Sequence, residues 1–327
     1  MKNLKNNIRY SSRLREYAFR ILKQCDKFAL YNNIYNKIIH SKTSQVTSFP
    51  SVLSIETINL CNAKCTICAH SDMKRPKGKM DTTLVHSLIE QAGKGKVGKL
   101  FLSGFGEPLI DKRLPQFIEY AKAHNIENIS IVTNGNLLAP ELAQVLAAAG
   151  LNEINISIDG FTTKTYESIR LGLKFEKLVN NLKELSSIKN RQNINISLSC
   201  VDLIHNYQER HLAYTQFKKY VDNIYFRQAQ SWTSGYGNKD ARYSPHFTPN
   251  NIPCRYLWDS ASIYIDGKVP ACCLDYEAEG IIGNASSNSI DDIWQGEIFN
   301  NYRLKHLANK KSELLPCRTC GYYSIWW

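Results

Sequence analysis

Three cysteines, Cys61, Cys65 and Cys68, lie close together in a C-x3-C-x2-C pattern. Thiolates are the usual ligands of iron–sulfur clusters, so this spacing predicts a loop that wraps three corners of a cube and leaves the fourth iron open. Zinc sites with three protein ligands usually include His or a carboxylate at other spacings, which makes zinc the weaker alternative. The loop directly follows a strand-like run at 52–58.

A second group of cysteines lies in the last quarter of the chain, at Cys254, Cys272, Cys273, Cys317 and Cys320. The C-x2-C pair at 317 and 320 predicts one side of a tetrahedral or cubane site that two distant thiols complete. The residues alone leave two alternatives open, an iron–sulfur cluster and a structural zinc knuckle.

Glycine-rich and polar motifs follow other strand-like runs. Gly104 and Gly106 would let the backbone approach a ligand closely, and Glu107 could accept a hydrogen bond from an ammonium group. Short polar side chains suited to ribose hydroxyls lie at the ends of two further runs, at Asn134, Ser157 and Asp159.

These features together resemble the radical SAM enzymes. The resemblance covers most of the chain, and it rests on the three-cysteine loop after a first strand, the Gly-Phe-Gly-Glu-Pro run at 104–108 and the cysteine-rich C-terminal part. It implies a 4Fe-4S cluster whose open iron binds the amino and carboxylate groups of S-adenosylmethionine (SAM). Ile67 is a departure, since the family usually places an aromatic residue there, near adenine.

The resemblance also implies roles for single residues. Cys61, Cys65 and Cys68 would hold the catalytic cluster, and the motif that ends in Glu107 would recognise the methionine amino group. Arg170 would clamp the SAM carboxylate, because a guanidinium can engage a carboxylate through two parallel hydrogen bonds.

The C-terminal cysteines are similar in spacing to the small SPASM-like, or twitch, domain of radical SAM dehydrogenases that oxidise aminocyclitols. That similarity implies a second 4Fe-4S cluster, auxiliary and fully ligated, held by Cys254, Cys272, Cys317 and Cys320. Cys273 competes with Cys272 for the second ligand position, and the spacing favours Cys272.

Between residues 52 and about 228, the chain alternates between short β-branched runs and helical ones, which predicts a parallel α/β fold. The predicted strands are 52–58, 98–103, 128–133, 153–158, 194–201 and 223–228. Helices are predicted between them at 82–93, 112–124, 139–149, 162–187 with a break near Gly172, and 206–220. The family resemblance favours a partial (β/α)6 TIM-like barrel over a doubly wound sheet, and both folds place function at the carboxyl ends of the strands. A hairpin is predicted between 263–265 and 269–271.

The predicted organisation has four parts. Residues 1–48 form a basic amphipathic helical extension and linker, 49–230 the radical SAM partial barrel, 231–253 a connector and 254–327 the SPASM/twitch domain. Residues 1–42 carry ten Lys and Arg against two acidic residues, so the helix could pack on the barrel or contact a membrane surface. The sequence shows no secretory h-region or spanning apolar run, and we expect a cytoplasmic location.

The net charge of +12 fits an anionic substrate but does not identify one, and no nucleic-acid-binding module is recognisable. The resemblance implies a radical SAM oxidoreductase that cleaves SAM to a 5′-deoxyadenosyl radical and oxidises or epimerises a small molecule such as a sugar or cyclitol. It also implies a one-electron reductant such as flavodoxin or ferredoxin. The alternatives are a peptide-modifying maturase and a non-catalytic iron–sulfur electron carrier. Candidate substrate contacts are Arg227, Trp232 and Tyr236.

Overall fold

The structure is a computed structural model that describes residues 41, 43–192, 194–229 and 253–320. The predicted N-terminal helix and the substrate candidates Trp232 and Tyr236 lie outside the described residues. No helix in the described part of the chain combines the length and the apolar composition needed to cross a membrane.

A seven-stranded parallel sheet organises the molecule, in the order β6-β5-β4-β3-β2-β1-β7. Its strands are β1 (Val52–Ile55), β2 (Lys99–Phe101), β3 (Ile129–Thr133), β4 (Glu153–Ser157), β5 (Asn195–Asp202), β6 (Asn223–Gln228) and β7 (Ser260–Ile263). The first six strands lie beside their neighbours in sequence, as expected for successive right-handed βα units. The six predicted strands and the α/β barrel class are confirmed.

Helices connect the strands where the sequence predicts them, at Thr82–Lys94, Leu114–Ala123, Pro140–Ala148, Thr163–Ile169 and Phe175–Gln192. Asp81 caps the first helix by accepting hydrogen bonds from the amides of Thr83 and Leu84, at 2.8 and 3.2 Å. The break near Gly172 is also present. The predicted helix 206–220 is wrong as a regular helix, because the segment consists of a 3-10 turn, one α-helical turn and a π-turn (Tyr207–Glu209, Arg210–Leu212 and Ala213–Phe217).

The two faces of the sheet differ in composition. On the outer face, residues such as Leu53, Ile131, Ile154 and Leu198 are fully buried in the core that the helices cover. On the other face, which we call the inner face, strand positions two residues apart are mostly small or polar, and even the apolar Val132 stays 36% exposed. The sheet therefore buries one face and leaves the other partly open at the centre of the partial barrel.

The seventh strand comes from the C-terminal part of the chain. β7 pairs in parallel with β1, and Leu53 and Ile55 stand opposite Ala261 and Ile263. The predicted hairpin of 263–265 with 269–271 is wrong, because β8 (Lys268–Pro270) pairs instead with β9 (Ile281–Asn284) in an antiparallel sheet. The chain does turn tightly before β8, and the Tyr264 amide donates to the Lys268 carbonyl at 2.9 Å. The edge of β1 offers β7 a partner, and a two-stranded hairpin alone would be marginal.

Candidate active site

The cysteine loop is held by backbone hydrogen bonds to a distant segment. The amides of Lys64 and Thr66 donate to the carbonyls of Leu171 and Ile169, at 2.9 and 2.8 Å. Those acceptors lie at the end of helix Thr163–Ile169, where Gly172 has a φ of +92° that favours glycine. The break in the predicted helix therefore holds the cysteine loop in place.

Arg170 lies between the two acceptor carbonyls and reaches the loop. Its Nη2 donates to Asp159 Oδ2 at 2.6 Å, and its Nη1 lies 3.9 Å from Cys65 Sγ. Its Nε is buried and has no hydrogen-bond partner. Burial lowers the pKa of Arg170, but the neighbouring Asp159 carboxylate outweighs it and holds the pKa above its ordinary value.

Asp159 follows β4 with a φ of +53°, a conformation that Asp adopts more readily than most residues. Its other carboxylate oxygen accepts from the Val201 amide at 2.7 Å. The residue predicted for ribose and the residue predicted for the SAM carboxylate thus form a buried ion pair with each other, beside Cys65.

The glycine motif packs on the backbone that leads into the cysteine loop. A Cβ on Gly106 would lie 2.7 Å from the carbonyl oxygens of both Ile58 and Leu60, so only glycine fits without displacing that backbone. The Glu107 amide also donates to the Leu60 carbonyl at 2.8 Å. The glycine motif therefore contacts the backbone segment that ends directly before Cys61.

Glu107 is 2% exposed and connects the ends of β2 and β3. Its carboxylate accepts from the Thr133 hydroxyl at 2.6 Å, the Asn134 amide at 2.7 Å and the Leu109 amide at 3.1 Å. Burial raises the pKa of Glu107, and these hydrogen bonds oppose that shift. Because a carboxylate offers about four acceptor positions, the protein leaves about one for an ammonium group.

The remaining predicted SAM contacts lie on the same rim of strand ends. Asn134 is buried, and its side-chain Nδ2 donates to Asn62 Oδ1 inside the cysteine loop at 2.8 Å. Ser157 ends β4 and pairs in register with Ser199 of β5. The structure thus brings Asn134 to the cysteine loop, and Ser157 lies at the end of a neighbouring strand of the same sheet.

The three loop thiols are near enough to influence one another electrostatically. Burial raises the pKa of Cys61 and of Cys65, and it raises the pKa of Cys68 to about 11. Without an iron ligand they are therefore neutral thiols, and cluster binding would release their protons. Within the described residues, no group of three or more His, Cys, Asp or Glu side chains is close enough to hold one shared metal ion. A 4Fe-4S cluster does not require that, because each thiolate binds a different iron of the cube.

The C-terminal cysteines also converge. Burial raises the pKa of Cys317, and the electrostatic influence of Cys272, Cys254 and Cys320 adds to the shift. Cys272 Sγ accepts from the Leu274 amide at 3.3 Å, a contact typical of a ligating sulfur. Cys273 is exposed instead.

A histidine that sequence reasoning missed stands beside this group. His306, on helix Glu297–Leu307, is 5% exposed, and its Nδ1 accepts from the Cys254 amide at 3.2 Å. Burial lowers the pKa of His306 to about 4, so the ring is neutral at pH 7. It holds the backbone of the first cysteine of the group.

Two charged residues near the cysteine loop were missed as well. Glu56 and Arg75 form a buried bidentate ion pair that flanks the loop on both sides in sequence. Glu56 lies within the predicted run 52–58, directly after β1, and its charge in a mostly apolar run was the available signal. Arg227, the described substrate candidate, is exposed at the end of β6 and stands opposite Val201.

Residues 55–213 match the Radical SAM superfamily, and residues 254–321 match SPASM, an iron–sulfur cluster-binding domain. The chain belongs to the radical SAM superfamily. Its radical SAM domain binds a 4Fe-4S cluster and SAM, and its SPASM domain binds an auxiliary cluster.

Curated relatives match part of the chain. The mycofactocin maturase MftC of Mycobacterium tuberculosis is 30% identical over 138 residues, which are 42% of this chain and 35% of the maturase. A probable GTP 3′,8-cyclase of Methanococcus maripaludis is 34% identical over 125 residues, 38% of this chain and 41% of the cyclase. The matched region thus spans well under two thirds of either relative.

Solved structures share the fold over most of the chain. BtrN in complex with AdoMet and 2-DOIA has a TM-score of 0.61 at 20% identity, covering 85% of this chain and 95% of BtrN. Streptococcus suis SuiB bound to the precursor peptide SuiA has a TM-score of 0.65 at 15% identity, covering 81% and 69% of the two chains. At these identities, the likeness concerns the fold.

The described residues fit the cofactors of the radical SAM domain. The buried Arg170 Nε without a partner lies beside the cysteine loop, and a carboxylate ligand would satisfy it. Glu107, with about one acceptor position left, is suited to an ammonium group. We therefore assign the SAM contacts to the glycine motif, Glu107, Asn134, Ser157, Asp159 and Arg170 as a proposal that mutation can test.

We expect Arg170→Lys to weaken SAM binding about tenfold, because lysine keeps the charge but loses the planar fork. Iron content should not change. Calorimetry on anaerobically reconstituted protein measures the affinity, and Arg113→Lys is the matched control because Arg113 forks onto the buried Asp111 carboxylate with two 2.9 Å hydrogen bonds. Unchanged affinity in Arg170→Lys would remove this residue from the carboxylate site.

We expect Cys272→Ser to lower the iron content from about eight to about four per chain, since it removes a ligand of one cube. Cys273→Ser is the matched control, one residue away and exposed, and it should keep all the iron. Iron and sulfide assays after reconstitution measure both variants. The assignment of Cys272 is wrong if the two variants give the opposite result, and a zinc knuckle would give about four irons and one zinc in the unmodified protein.

Proposed function

We propose that this chain is a radical SAM oxidoreductase that oxidises or epimerises a small polyhydroxylated ring, a sugar or a cyclitol. When bound to the cluster, SAM supplies a 5′-deoxyadenosyl radical that takes a hydrogen atom from a substrate carbon. The protein's own contribution is to hold the two reactants across the inner face. The observation that carries the substrate class is the polar composition of that face.

Two buried polar atoms on the inner face have no hydrogen-bond partner, Ser130 Oγ and Asn155 Oδ1. Ser130 lies two residues before Val132 on β3 and therefore shares its face. Asn155 of β4 stands directly opposite Val132 in the sheet register. The partly exposed Val132 thus identifies the face to which both atoms belong.

An unsatisfied buried polar group costs about 1–3 kcal/mol. A ligand rich in hydroxyl groups can donate to Asn155 Oδ1 and pair with Ser130, whereas an apolar side chain of a peptide cannot. The rim supports the same class, because Ser157, Ser199 and Tyr225 are in register across β4, β5 and β6. The two serine hydroxyls are short and suited to ring hydroxyls, and the Tyr225 phenol adds a longer one.

Arg227 extends this row at the next inward-facing position of β6, two residues beyond Tyr225. It is exposed at the rim, and it stands opposite Val201, whose amide donates to Asp159. A guanidinium there is suited to a carboxylate or phosphate group on the substrate. The net charge of +12 favours such an anionic substrate as well.

The choice between oxidation and epimerisation depends on the SPASM domain. Its cluster supplies a second one-electron site, which oxidation of a carbinol to a ketone needs and epimerisation does not. We therefore favour oxidation. The radical SAM cluster needs an external one-electron reductant, and flavodoxin or ferredoxin is the class we propose.

The second candidate is a peptide-modifying maturase. It is favoured by the similarity to the maturase MftC and by the fold likeness to SuiB, which was solved with its precursor peptide. A peptide would have to place a polar side chain or backbone group against the unpartnered atoms of the inner face. The two candidates differ in which labelled compounds transfer hydrogen.

We expect deuterium from ring carbons of labelled sugars or cyclitols to appear in 5′-deoxyadenosine when reduced protein is incubated with SAM. Mass spectrometry of the nucleoside measures the transfer. Unlabelled compounds and a Cys65→Ser variant serve as controls, since that variant lacks a ligand of the SAM cluster. Transfer only from labelled peptides would favour the maturase and contradict the sugar or cyclitol class.

We expect Ser130→Ala to raise the substrate KM about tenfold, equivalent to about 1.4 kcal/mol, while thermal stability is kept or slightly increased. Stability should not fall because the substitution removes a buried hydroxyl that has no partner. Ser289→Ala is the control outside the inner face, because the Ser289 hydroxyl accepts from the Asp292 amide at 3.1 Å and caps helix Ile290–Gln295. It should lose stability with little change in KM, and the reverse pattern would refute the substrate role of Ser130.

A further inference from the structure

Glu56 and Arg75 form the ion pair that flanks the cysteine loop. Arg75 Nη1 donates to Glu56 Oε2 at 3.1 Å and Nη2 donates to Oε1 at 3.2 Å. Glu56 is 1% exposed and Arg75 is 8% exposed. Charges so deeply buried are retained only when they are paired, and removal of one partner leaves the other uncompensated.

The Glu56 carboxylate also supports the glycine motif. It accepts a hydrogen bond from the Phe105 amide at 2.9 Å. A Cβ on Gly104 would lie 2.4 Å from Glu56 Cγ, so the motif lies directly against this side chain. The loop assigned to the methionine end of SAM therefore depends on the position of Glu56.

The opposite side of the pair contacts the C-terminal part of the chain. Glu56 Oε2 accepts from the Ile265 amide at 3.2 Å, and Arg75 Nε donates to the Tyr276 carbonyl at 2.7 Å. The Arg75 guanidinium also lies 3.8 Å from the centre of the Tyr264 ring, a close cation–π contact. The pair thus joins the barrel to the segment that carries the auxiliary cysteines.

From there, hydrogen bonds continue to a proposed auxiliary ligand. The Tyr264 hydroxyl donates to the Asp275 carbonyl at 2.7 Å. The Asp275 amide donates to the Cys272 carbonyl at 3.1 Å. Asp275 is fully buried, and its carboxylate accepts from the amides of Glu279 and Gly280 at 3.0 and 2.8 Å. Hydrogen bonds therefore hold the chain on both sides of Asp275.

We propose that Glu56 and Arg75 are positioning residues that couple occupancy of the SAM site to the placement of the auxiliary cluster. The glycine motif and the Cys272 turn are held by the same carboxylate–guanidinium pair. A ligand that orders the glycine motif therefore also orders the Cys272 turn. Such coupling is reciprocal, because each site changes the affinity of the other by the same factor. The proposal rests on the assignment of Gly104–Glu107 to SAM and of Cys272 to the auxiliary cluster.

A four-variant cycle tests the coupling through SAM affinity. Cys272→Ser removes the auxiliary cluster, and the double substitution Glu56→Leu/Arg75→Met replaces the ion pair with apolar side chains of similar size, which a buried site tolerates better than one unpaired charge. Calorimetry measures the Kd for SAM in reconstituted protein, and the electron paramagnetic resonance spectrum of the reduced SAM cluster reports whether SAM reaches the iron.

In the natural background, we expect loss of the auxiliary cluster to raise the Kd for SAM about tenfold, equivalent to about 1.4 kcal/mol. In the Glu56→Leu/Arg75→Met background, the same loss should change the Kd less than twofold, because the connection is already broken. A purely structural pair would give the same factor in both backgrounds, which would overturn the proposal. No effect of Cys272→Ser in the natural background would overturn it too.

A matched control separates coupling from general loss of stability. Asp111 and Arg113 form a similar bidentate pair within the barrel, with Asp111 2% exposed. The Asp111→Leu/Arg113→Met protein should keep the tenfold effect of Cys272→Ser. If Glu56→Leu/Arg75→Met does not fold, Arg75→Lys replaces it, and the factor should fall to an intermediate value.

The proposed function can fail separately. A protein that shows the coupling but transfers no hydrogen from sugars or cyclitols would refute the substrate class and leave the coupling intact. A protein that oxidises such a substrate but gives equal factors in both backgrounds would refute the coupling alone.

Discussion

Two backbone hydrogen bonds, from the amides of Lys64 and Thr66 to the carbonyls of Leu171 and Ile169, hold the cysteine loop against the barrel. Backbone groups make these contacts, so they are independent of the side chains at 64 and 66. Because the acceptors are two residues apart, the residue between them is brought directly to the loop. That residue is Arg170, which therefore meets both Cys65 and Asp159.

Three buried carboxylates lie near the carboxyl ends of the strands, around the cysteine loop. Glu56, Glu107 and Asp159 are each 1–2% exposed, and each accepts hydrogen bonds from backbone amides or neighbouring side chains. Two of them are also paired with an arginine. Groups held in this way need little rearrangement when a charged cofactor arrives, which is the physical meaning of a preorganised site. Each arginine also connects the rim to another part of the chain.

A sheet with one open face gives the barrel its interior. Parallel sheets that are covered on both faces have strands of nearly continuous apolar residues. Here β4 and β5 alternate, with isoleucine or leucine on the helix side and Asn155, Ser157 and Ser199 on the other. Small side chains leave space, and the buried Asn155 Oδ1 and Ser130 Oγ have no hydrogen-bond partner. The inner face is therefore suited to a polar ligand.

Much of the architecture could be predicted from the sequence. The β-branched runs and the glycine at the break near 172 located the strands and helices. The family resemblance, and not the residue pattern, distinguished the partial barrel from a doubly wound sheet. The hairpin prediction failed because β7 found a partner in the edge of β1, and sequence proximity does not reveal such a competing partner.

The sequence by itself determined the chemistry of this protein, because the type and spacing of Cys61, Cys65 and Cys68 are local properties of one loop. Only the tertiary structure decided which distant groups meet. It paired Arg170 with Asp159, placed Glu56 and Arg75 between the glycine motif and the C-terminal segment, and left Cys272 partly buried near Cys317 while Cys273 is exposed. The physical reason is that adjacent residues can point in opposite directions and that long-range pairs depend on packing. Neither can be predicted from the spacing of residues along the chain.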